Sequence, residues 1–429
     1  MLVSRIKVMN VEQFNHEDRA MALVVQKFGG TSLASVDRIK SVAQRVIAEM
    51  DQGHQVVVVV SAMAGVTNQL VGWAHQCANH QLTATEYDVV VSSGEQVTAG
   101  LMALALNDLG VKSRSWLSWQ LPIHTDSAYK NANIVDINTR VLQDSLDRGE
   151  VAVVAGFQGI SPDGRLATIG RGGSDYTAVA LAVAMKASRC DIYTDVDGVF
   201  TADPRLITNA RKLDHLSYQD VLDIAGHGAK VLQPQSIEAA QGGNVPIRVL
   251  SSFNNNEGTL VSTLSQTSEF IAVTSRRDRA MFSVELNGDT AVTSKEIQGV
   301  LTEAFVEIDY NCRFEPAGQT LTIVVAHDDY EDAQAALNQY ARNVKARVGA
   351  IHTFSRVGQV AVVGRMGSKA EEIVCKVREI LNEREVEIYQ LKADERAISI
   401  LLPGENMEEA VKLLHKEFIL KQTLIKDVA

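Results

Sequence analysis

Up to about residue 262, short, mostly apolar strand-like runs alternate with stretches in which apolar positions recur every three or four residues. Leu23-Val24-Val25-Gln26-Lys27-Phe28, Val56-Val57-Val58-Val59-Val60, Val151-Ala152-Val153-Val154 and Cys190-Asp191-Ile192-Tyr193 read as strands. The absence of polar alternation in the valine runs predicts burial on both faces. Val36, Ile39, Val42, Ala43, Val46, Ile47 and Met50 fall on one helical face, predicting a helix over 36–50. A second helix is expected from about Ser93 to Asn107, closed by Gly110, with Ser92-x-x-Glu95 and Ser93-x-x-Gln96 both fitting a capping box. Ser174-Asp175 opens a third, through Ala187. Strands and helices alternating in this way predict an open, mostly parallel sheet between two helical layers.

The pattern changes after Gly258-Thr259-Leu260. Ser262–Ser268 reads as a polar linker, and two smaller units follow, each readable as strand, helix, two strands, helix, strand. The first has strands near Met281–Leu286, Glu307–Asn311 and Thr320–Val325, with helices near Ser294–Glu303 and Tyr330–Tyr340. The second has strands near Gln359–Val363, Glu385–Tyr389 and Ala397–Leu402, with helices near Ala370–Leu381 and Met407–Phe418. An offset of about 80 residues is too long for a solenoid repeat and suits two tandem small domains. The divisions are a loose extension over 1–21, a large domain over 22–262, and small domains over 269–350 and 355–425.

Composition narrows the function classes. The net charge of −11 disfavours a nucleic-acid or acidic-membrane partner, though it allows a local phosphate pocket. Cys77, Cys190, Cys312 and Cys375 are far apart and form no CxxC, which disfavours a disulfide scaffold or zinc site. No apolar run approaches membrane-spanning length. Residues 1–20 lack the apolar segment of a signal peptide, so the cytoplasm is expected.

Candidate chemistry concentrates where strands end in glycines. After the first strand, Gly29-Gly30-Thr31-Ser32 joins a strand end to a helix start, where free amides and the helix dipole attract anions; Lys27 adds a full charge. A tight turn beside a solvated lysine is the plainer alternative. Gly170-Arg171-Gly172-Gly173-Ser174-Asp175 sets an arginine able to grip a carboxylate or phosphate between close-approach glycines; a capped turn is its alternative. Glu95 is by default a capping residue. Asp195, Asp197 and Asp203 suit either a metal–nucleotide complex or a turn. Lys230, after Gly226-His227-Gly228-Ala229, suits phosphate or solvent. There is no Walker A sequence, and Gly364–Lys369 reads as a plain turn. The ten histidines form no HxH or HExxH pattern, which disfavours a metal-activated hydrolase. Cationic loops after several strands of one sheet suggest an anionic nucleotide and a carboxylate-bearing second substrate.

These residues resemble the aspartate kinase family. The resemblance rests on Lys27-Phe28-Gly29-Gly30-Thr31-Ser32, Ser61-Ala62-Met63, Ser93-Gly94-Glu95, Gly156-Phe157-Gln158-Gly159, Gly170–Asp175, Asp195–Val199 with Asp203-Pro204-Arg205, and Arg248–Phe253, all in order. It implies an amino-acid kinase fold followed by two βαββαβ (ferredoxin-like) ACT domains. The implied reaction is transfer of a phosphoryl group from ATP with Mg2+ to the side-chain carboxylate of L-aspartate. The product, 4-phospho-L-aspartate, leads toward lysine, diaminopimelate, threonine and methionine. A carboxylate is ionised at neutral pH and needs no general base, so positioning and charge neutralisation suffice.

Carried over by motif, Lys27 with the Gly29 and Gly30 amides stabilises the transferred group, and Arg171 completes the catalytic set. ATP is expected at Lys27, Phe28, Gly29, Gly30, Ser61, Ser174, Thr194, Asp195, Arg205 and Lys230. Aspartate is expected at Thr67, Glu95, Arg171, Gly172, Gly173 and Ser174, with Glu95 facing its ammonium. No metal site is implied beyond Mg2+ carried by ATP. The family's ACT pair further implies a homo-oligomer and amino-acid effectors. The chain departs from the family pattern at Ala64, where glycine is usual. It also lacks the Pro-Gly-like turn in both ACT units and has Ala393-Asp394 where a Ser/Thr pair is usual, so weak inhibition by lysine or threonine alone is expected. Two alternatives stay open: another carboxylate or carbamate kinase of the same superfamily, and a catalytically silent ACT-based sensor.

Overall fold

The protein, as a computed structural model, is described at residues 22–78, 83–229, 231–264, 269–304, 306, 308–309, 319–344 and 346–422. It divides into two compact units. The first runs to Asp195 and includes Val245–Ile247; the second comprises Val196–Asn244 and Arg248 onward. The extension over 1–21 lies outside the described residues, as do residues 265–268 of the linker.

In the first unit the elements are β1 (Leu23–Phe28), α1 (Val36–Met50), β2 (Gln55–Val60), α2 (Val66–Cys77), α3 (Ala84–Val91), α4 (Ser93–Asp108), β3 (Ser113–Trp116), β4 (Ile123–Thr125), β5 (Ile134–Ile137), α5 (Arg140–Asp147), β6 (Val151–Ala155), β7 (Gln158–Ile160), β8 (Leu166–Thr168), α6 (Gly173–Ala184) and β9 (Arg189–Thr194). Its main sheet has the order β9-β1-β2-β6-β3, every pair parallel. Val56–Val60 and Val151–Ala155 are fully buried, as an unbroken apolar run in a two-sided sheet requires. A smaller sheet, β5-β4-β7-β8, carries the hairpin that leads into α6.

Local details differ from expectation. A 3-10 turn, Gly30–Leu33, separates the glycines from α1, whose cap is Ser35 accepting from the Arg38 amide at 3.3 Å. Neither proposed capping box forms, because α3 runs almost directly into α4 and Ser92 is itself helical. The Ser92 and Ser93 hydroxyls donate instead to the Val89 and Val90 carbonyls. Lys186 takes a left-handed φ of 52°, and α6 ends at Ala184, short of Ala187. The helical stretch Ala84–Asp108 is, contrary to expectation, long and apolar enough to cross a membrane by length and composition. About half of it is buried in the fold, with Asp88 and Glu95 on the inside.

The second unit contains β10 (His215–Ser217), α7 (Tyr218–Gly226), α8 (Pro234–Gly243), β11 (Ile247–Ser251), β12 (Thr259–Ser262), β13 (Phe270–Leu286), α9 (Thr290–Glu303), β14 (Thr320–Ala326), α10 (Tyr330–Asn343), β15 (Val348–Gly364), α11 (Ala370–Asn382), β16 (Gln390–Ala393), β17 (Ala397–Pro403) and α12 (Met407–Leu414). The strands β10-β12-β11 are neighbours in that order, and a five-stranded antiparallel sheet has the order β14-β13-β15-β17-β16. β13 and β15, 17 residues each, run through both small units. The C-terminal half of β13 packs Phe282 and Val284 against Ile297, Leu301 and Leu337. Its N-terminal half instead gives Val273 to a core with Val362, Val377 and Leu414.

The strand expected at Glu385–Tyr389 forms later, at Gln390–Ala393, because the turn after α11 still includes Glu385 at a left-handed φ of 54°. The strand expected at Glu307–Asn311 falls largely outside the described residues; Ile308 forms a single bridge to Val325. Helix α7 has a complete capping box between Ser217 and Asp220. From the turn between β16 and β17, Arg396 reaches that helix, donating to Asp220 at 2.7 Å and Asp223 at 2.6 Å.

Candidate active site

In the first unit the loops after β1, β2, β6 and β9 share the carboxyl edge of the sheet. The Gly29 amide donates to the Tyr193 carbonyl at 3.1 Å, Ser61 to Phe28 at 3.1 Å, and Gly156 to Val60 at 3.0 Å. Parallel strands leave their last carbonyls and the following amides at one edge, where open α/β sheets bind ligands. The Phe28 ring stacks on Tyr193 with centroids 4.6 Å apart, fixing the end of β1.

Lys27 points into this edge, buried but for 8% of its surface, with Nζ 2.5 Å from Asp175 Oδ1. Asp175 lies in the first turn of α6. An ammonium held by one carboxylate keeps further donors for an anionic ligand. Gly30 presses against the next loop: a Cβ there would sit 3.0 Å from the Ala62 carbonyl oxygen. Any side chain would push the β1 loop away from the β2 loop.

Glu95, 3% exposed, faces the same loop. Its Oε1 accepts from the Ala62 amide at 3.0 Å, and its Oε2 is buried with no hydrogen-bond partner among the described residues. Burial pushes the carboxyl up to about 7, against the Ala62 amide and the Lys27 charge, which favour the ionised form. A buried carboxylate oxygen of this kind can accept from a cationic donor. The reading of Glu95 as a cap is thus replaced by a tether to the β2 loop. Thr67, expected at the aspartate site, stands in the first turn of α2.

Arg171 occupies the loop that enters α6. Gly170 at φ 79° and Gly172 at φ 69° flank it in a conformation that disfavours side chains. Arg171 is exposed and has no ion-pair partner among the described residues. Gly173 and Ser174 are buried in the first turn of α6, and neither Ser174 nor Asp175 caps the helix. Thr194 ends β9 and donates to Asp195 at 3.0 Å. Lys27, Phe28, Gly29, Gly30, Ser61, Thr67, Glu95, Arg171, Gly172, Gly173, Ser174, Thr194 and Asp195 thus all belong to the first unit.

Arg205 belongs to the second unit, where it pairs with Asp203 at 2.7 Å. The Arg205 hydrogen bonds draw the Asp203 carboxyl below its usual range. Asp197, a candidate for a metal–nucleotide complex, accepts from the Asn254 and Asn256 side chains at 2.5 and 3.2 Å and stitches a turn. Lys230 lies outside the described residues. Asp175 was legible only as a helix-opening residue. The one sequence signal for its role is a lone acid, close behind Arg171 in the same motif, with a lysine at the end of another strand.

Comparison with known proteins decides the family. The family model described as "Amino acid kinase family" matches residues 22–251, and one described as "ACT domain" matches residues 355–416. The chain is 40% identical over 406 residues to the aspartokinase of Pseudomonas aeruginosa, covering 93% of this chain and 98% of that one.

The chain belongs to the aspartokinase family.

Aspartokinase 2 of Bacillus subtilis is 38% identical over 406 residues, covering 94% of this chain and 99% of its own. Among solved structures, Escherichia coli aspartokinase III in complex with aspartate and ADP (R-state) aligns with a TM-score of 0.77 at 26% identity, covering 92% and 99% of the two chains. The same protein in complex with lysine and aspartate (T-state) aligns with a TM-score of 0.72 at 25% identity. The aspartokinase reading makes sense of the inventory: the acceptor brings its own nucleophilic oxygen, so the site needs cations and amides more than a base.

Proposed function

We propose that this aspartokinase transfers the γ-phosphoryl group of MgATP to the side-chain carboxylate of L-aspartate at the carboxyl edge of the first unit's sheet. A side-chain oxygen of aspartate attacks the γ-phosphorus, the bond to the β,γ-bridging oxygen breaks, and ADP leaves with the electron pair. The observation that carries the reading is Lys27, fixed by Asp175 at 2.5 Å beside the Gly29-Gly30 loop. Lys27 and the loop amides neutralise charge on the equatorial oxygens of the transferring group, the main demand of this chemistry. Arg171, with Gly172, Gly173 and Ser174, holds the α-carboxylate by a forked pair of hydrogen bonds. Glu95 accepts from the ammonium with the oxygen that otherwise lacks a partner. Thr67 lines the same end. Phe28, Ser61, Thr194 and Asp195 serve the nucleotide, and Mg2+ enters as part of the substrate.

The kinase domain spans 22–262 and the ACT domains 269–350 and 355–425, working as a homo-oligomer in the cytoplasm with amino acids, lysine among them, as effectors. Replacing Arg171 tests the site. Arg171→Ala is expected to raise the aspartate KM at least tenfold with the MgATP KM little changed. An unchanged aspartate KM would return Arg171 to an ordinary turn.

A further inference from the structure

Asp88 is fully buried on α3 and takes no part in the chemistry above. Its carboxylate accepts three hydrogen bonds from neutral donors. Oδ2 accepts from the Thr168 amide at 2.8 Å and the Lys130 amide at 3.0 Å, and Oδ1 from the Thr168 hydroxyl at 2.8 Å. Thr168 ends β8, three residues before Arg171. Its carbonyl accepts from the Ala132 amide at 2.9 Å, so Asp88 and Thr168 together pin the loop around residues 130–132.

That loop in turn confines the Arg171 motif. A Cβ on Gly170 would fall 2.3 Å from Asn131 Oδ1 and 3.3 Å from the Lys130 carbonyl oxygen. Lys130 holds a left-handed φ of 71°, unusual for a side-chain-bearing residue, and its amide is the one that Asp88 accepts from. The neighbouring Tyr87 senses the same motif: burial and the Asp88 charge push its phenol up, and the Arg171 charge opposes them. Asp88 also stands seven residues before Glu95 on the α3–α4 stretch. One rigid segment therefore carries the ammonium partner at one end and the anchor of the carboxylate grip at the other.

We propose that Asp88 is a positioning residue, holding the Thr168–Arg171 segment at the spacing from Glu95 at which both backbone charges of the amino-acid substrate are met together. This rests on the assignment of Arg171 to the substrate α-carboxylate. Asp88 touches no substrate atom and acts through three donors on two loops.

Asp88→Asn keeps the shape and removes the charge: its oxygen can still accept from the two amides, more weakly, while its NH2 faces the Thr168 hydroxyl. The expected result is an aspartate KM raised about tenfold, with kcat and the MgATP KM within about twofold. Thr168→Val, which removes only the hydroxyl donor, is expected to raise the aspartate KM about threefold and covers the case in which Asp88→Asn fails to fold. Each is also made in an Arg171→Ala background. If Asp88 works through Arg171, neither adds to the KM effect there. Additive effects, or a loss of kcat at unchanged aspartate KM, overturn the positioning role while leaving Arg171 in place. An Arg171→Ala protein with normal aspartate KM overturns the underlying assignment and this proposal with it.

Discussion

Lys27 Nζ and Asp175 Oδ1 lie 2.5 Å apart, joining the penultimate residue of β1 to the first turn of α6, about 150 residues later. The pair aims a flexible ammonium at one point, reducing the rearrangement needed as charge develops on the transferring group. Lys27→Ala is expected to lower kcat by about 10²–10³-fold, the range for losing one charge-stabilising donor. Asp175→Asn keeps the lysine but loosens its aim, and a smaller loss of kcat is expected. Steady-state kinetics at saturating aspartate and MgATP check both.

With Glu95 as the proposed ammonium partner, the aspartate affinity is expected to depend on pH. With its carboxyl pushed up to about 7, it is largely protonated in the empty enzyme at pH 6. Binding an ammonium favours the carboxylate, so aspartate binding releases a proton. The aspartate KM is expected to fall roughly tenfold per unit as pH rises toward 7 and to level off above it. Glu95→Gln is expected to raise the KM and flatten the profile, with the MgATP KM little changed. The same shift has a stability sign: between the ordinary carboxylate range and about 7 the folded state holds the extra proton, so the empty enzyme loses stability as pH rises through that window. A KM profile for aspartate from pH 6 to 8.5, for both proteins, tests this.

Arg396 donates to Asp220 and Asp223 of α7, and Asp220 is fully buried. Arg396→Ala leaves Asp223 without this cation and Asp220 with the more distant Arg365, 3.8 Å away. A loss of about 3 kcal/mol is expected, the low end for breaking a buried pair, since the guanidinium is partly exposed. Urea unfolding of the second unit's transition measures it. Arg396→Lys is expected to recover only part, because a lysine cannot fork between the two acids.

The parts of the fold legible in the sequence were those with strong local signals. β2 and β6 follow from unbroken apolar runs, β1 and β9 from short mostly apolar runs, and α1 from a 3.6-residue period. Other features depend on partners far along the chain. Asp88 meets Thr168 across 80 residues, and no spacing rule connects them. Ser92 and Ser93 carry a capping pattern, but α3 arrives there already helical, so the boxes have no free helix start to cap. The two small units could be recognised as a repeat. Their shared 17-residue strands could not, because the polar stretch in the middle of β13 and of β15, where each changes core, reads as a break between elements. Of the proposed site, the glycine loops and cations were legible, whereas the Lys27–Asp175 pair and the unpartnered Glu95 oxygen depend on how distant segments pack.

The proposed regulation can be tested at Ala393, where the family resemblance implies a hydroxyl-bearing residue. Ala393, at the exposed end of β16, offers no hydroxyl to an effector. One missing hydrogen bond in a binding site costs about 1–3 kcal/mol, or about 5–150-fold in affinity. Lysine or threonine alone is expected to inhibit only at millimolar concentration, and the pair together more strongly. Titrating each singly and jointly against activity tests this, and inhibition by one at tens of micromolar contradicts it.

The central claim is the choice of acceptor. Purified protein is supplied with MgATP and a panel of L-aspartate, L-glutamate, succinate and carbamate, and ADP release is followed by a coupled assay, with hydroxylamine added to trap an acyl phosphate. The account predicts ADP release with L-aspartate, accompanied by a stoichiometric hydroxamate, and little turnover with the others. ADP release independent of aspartate, or equal turnover with another acceptor, contradicts it.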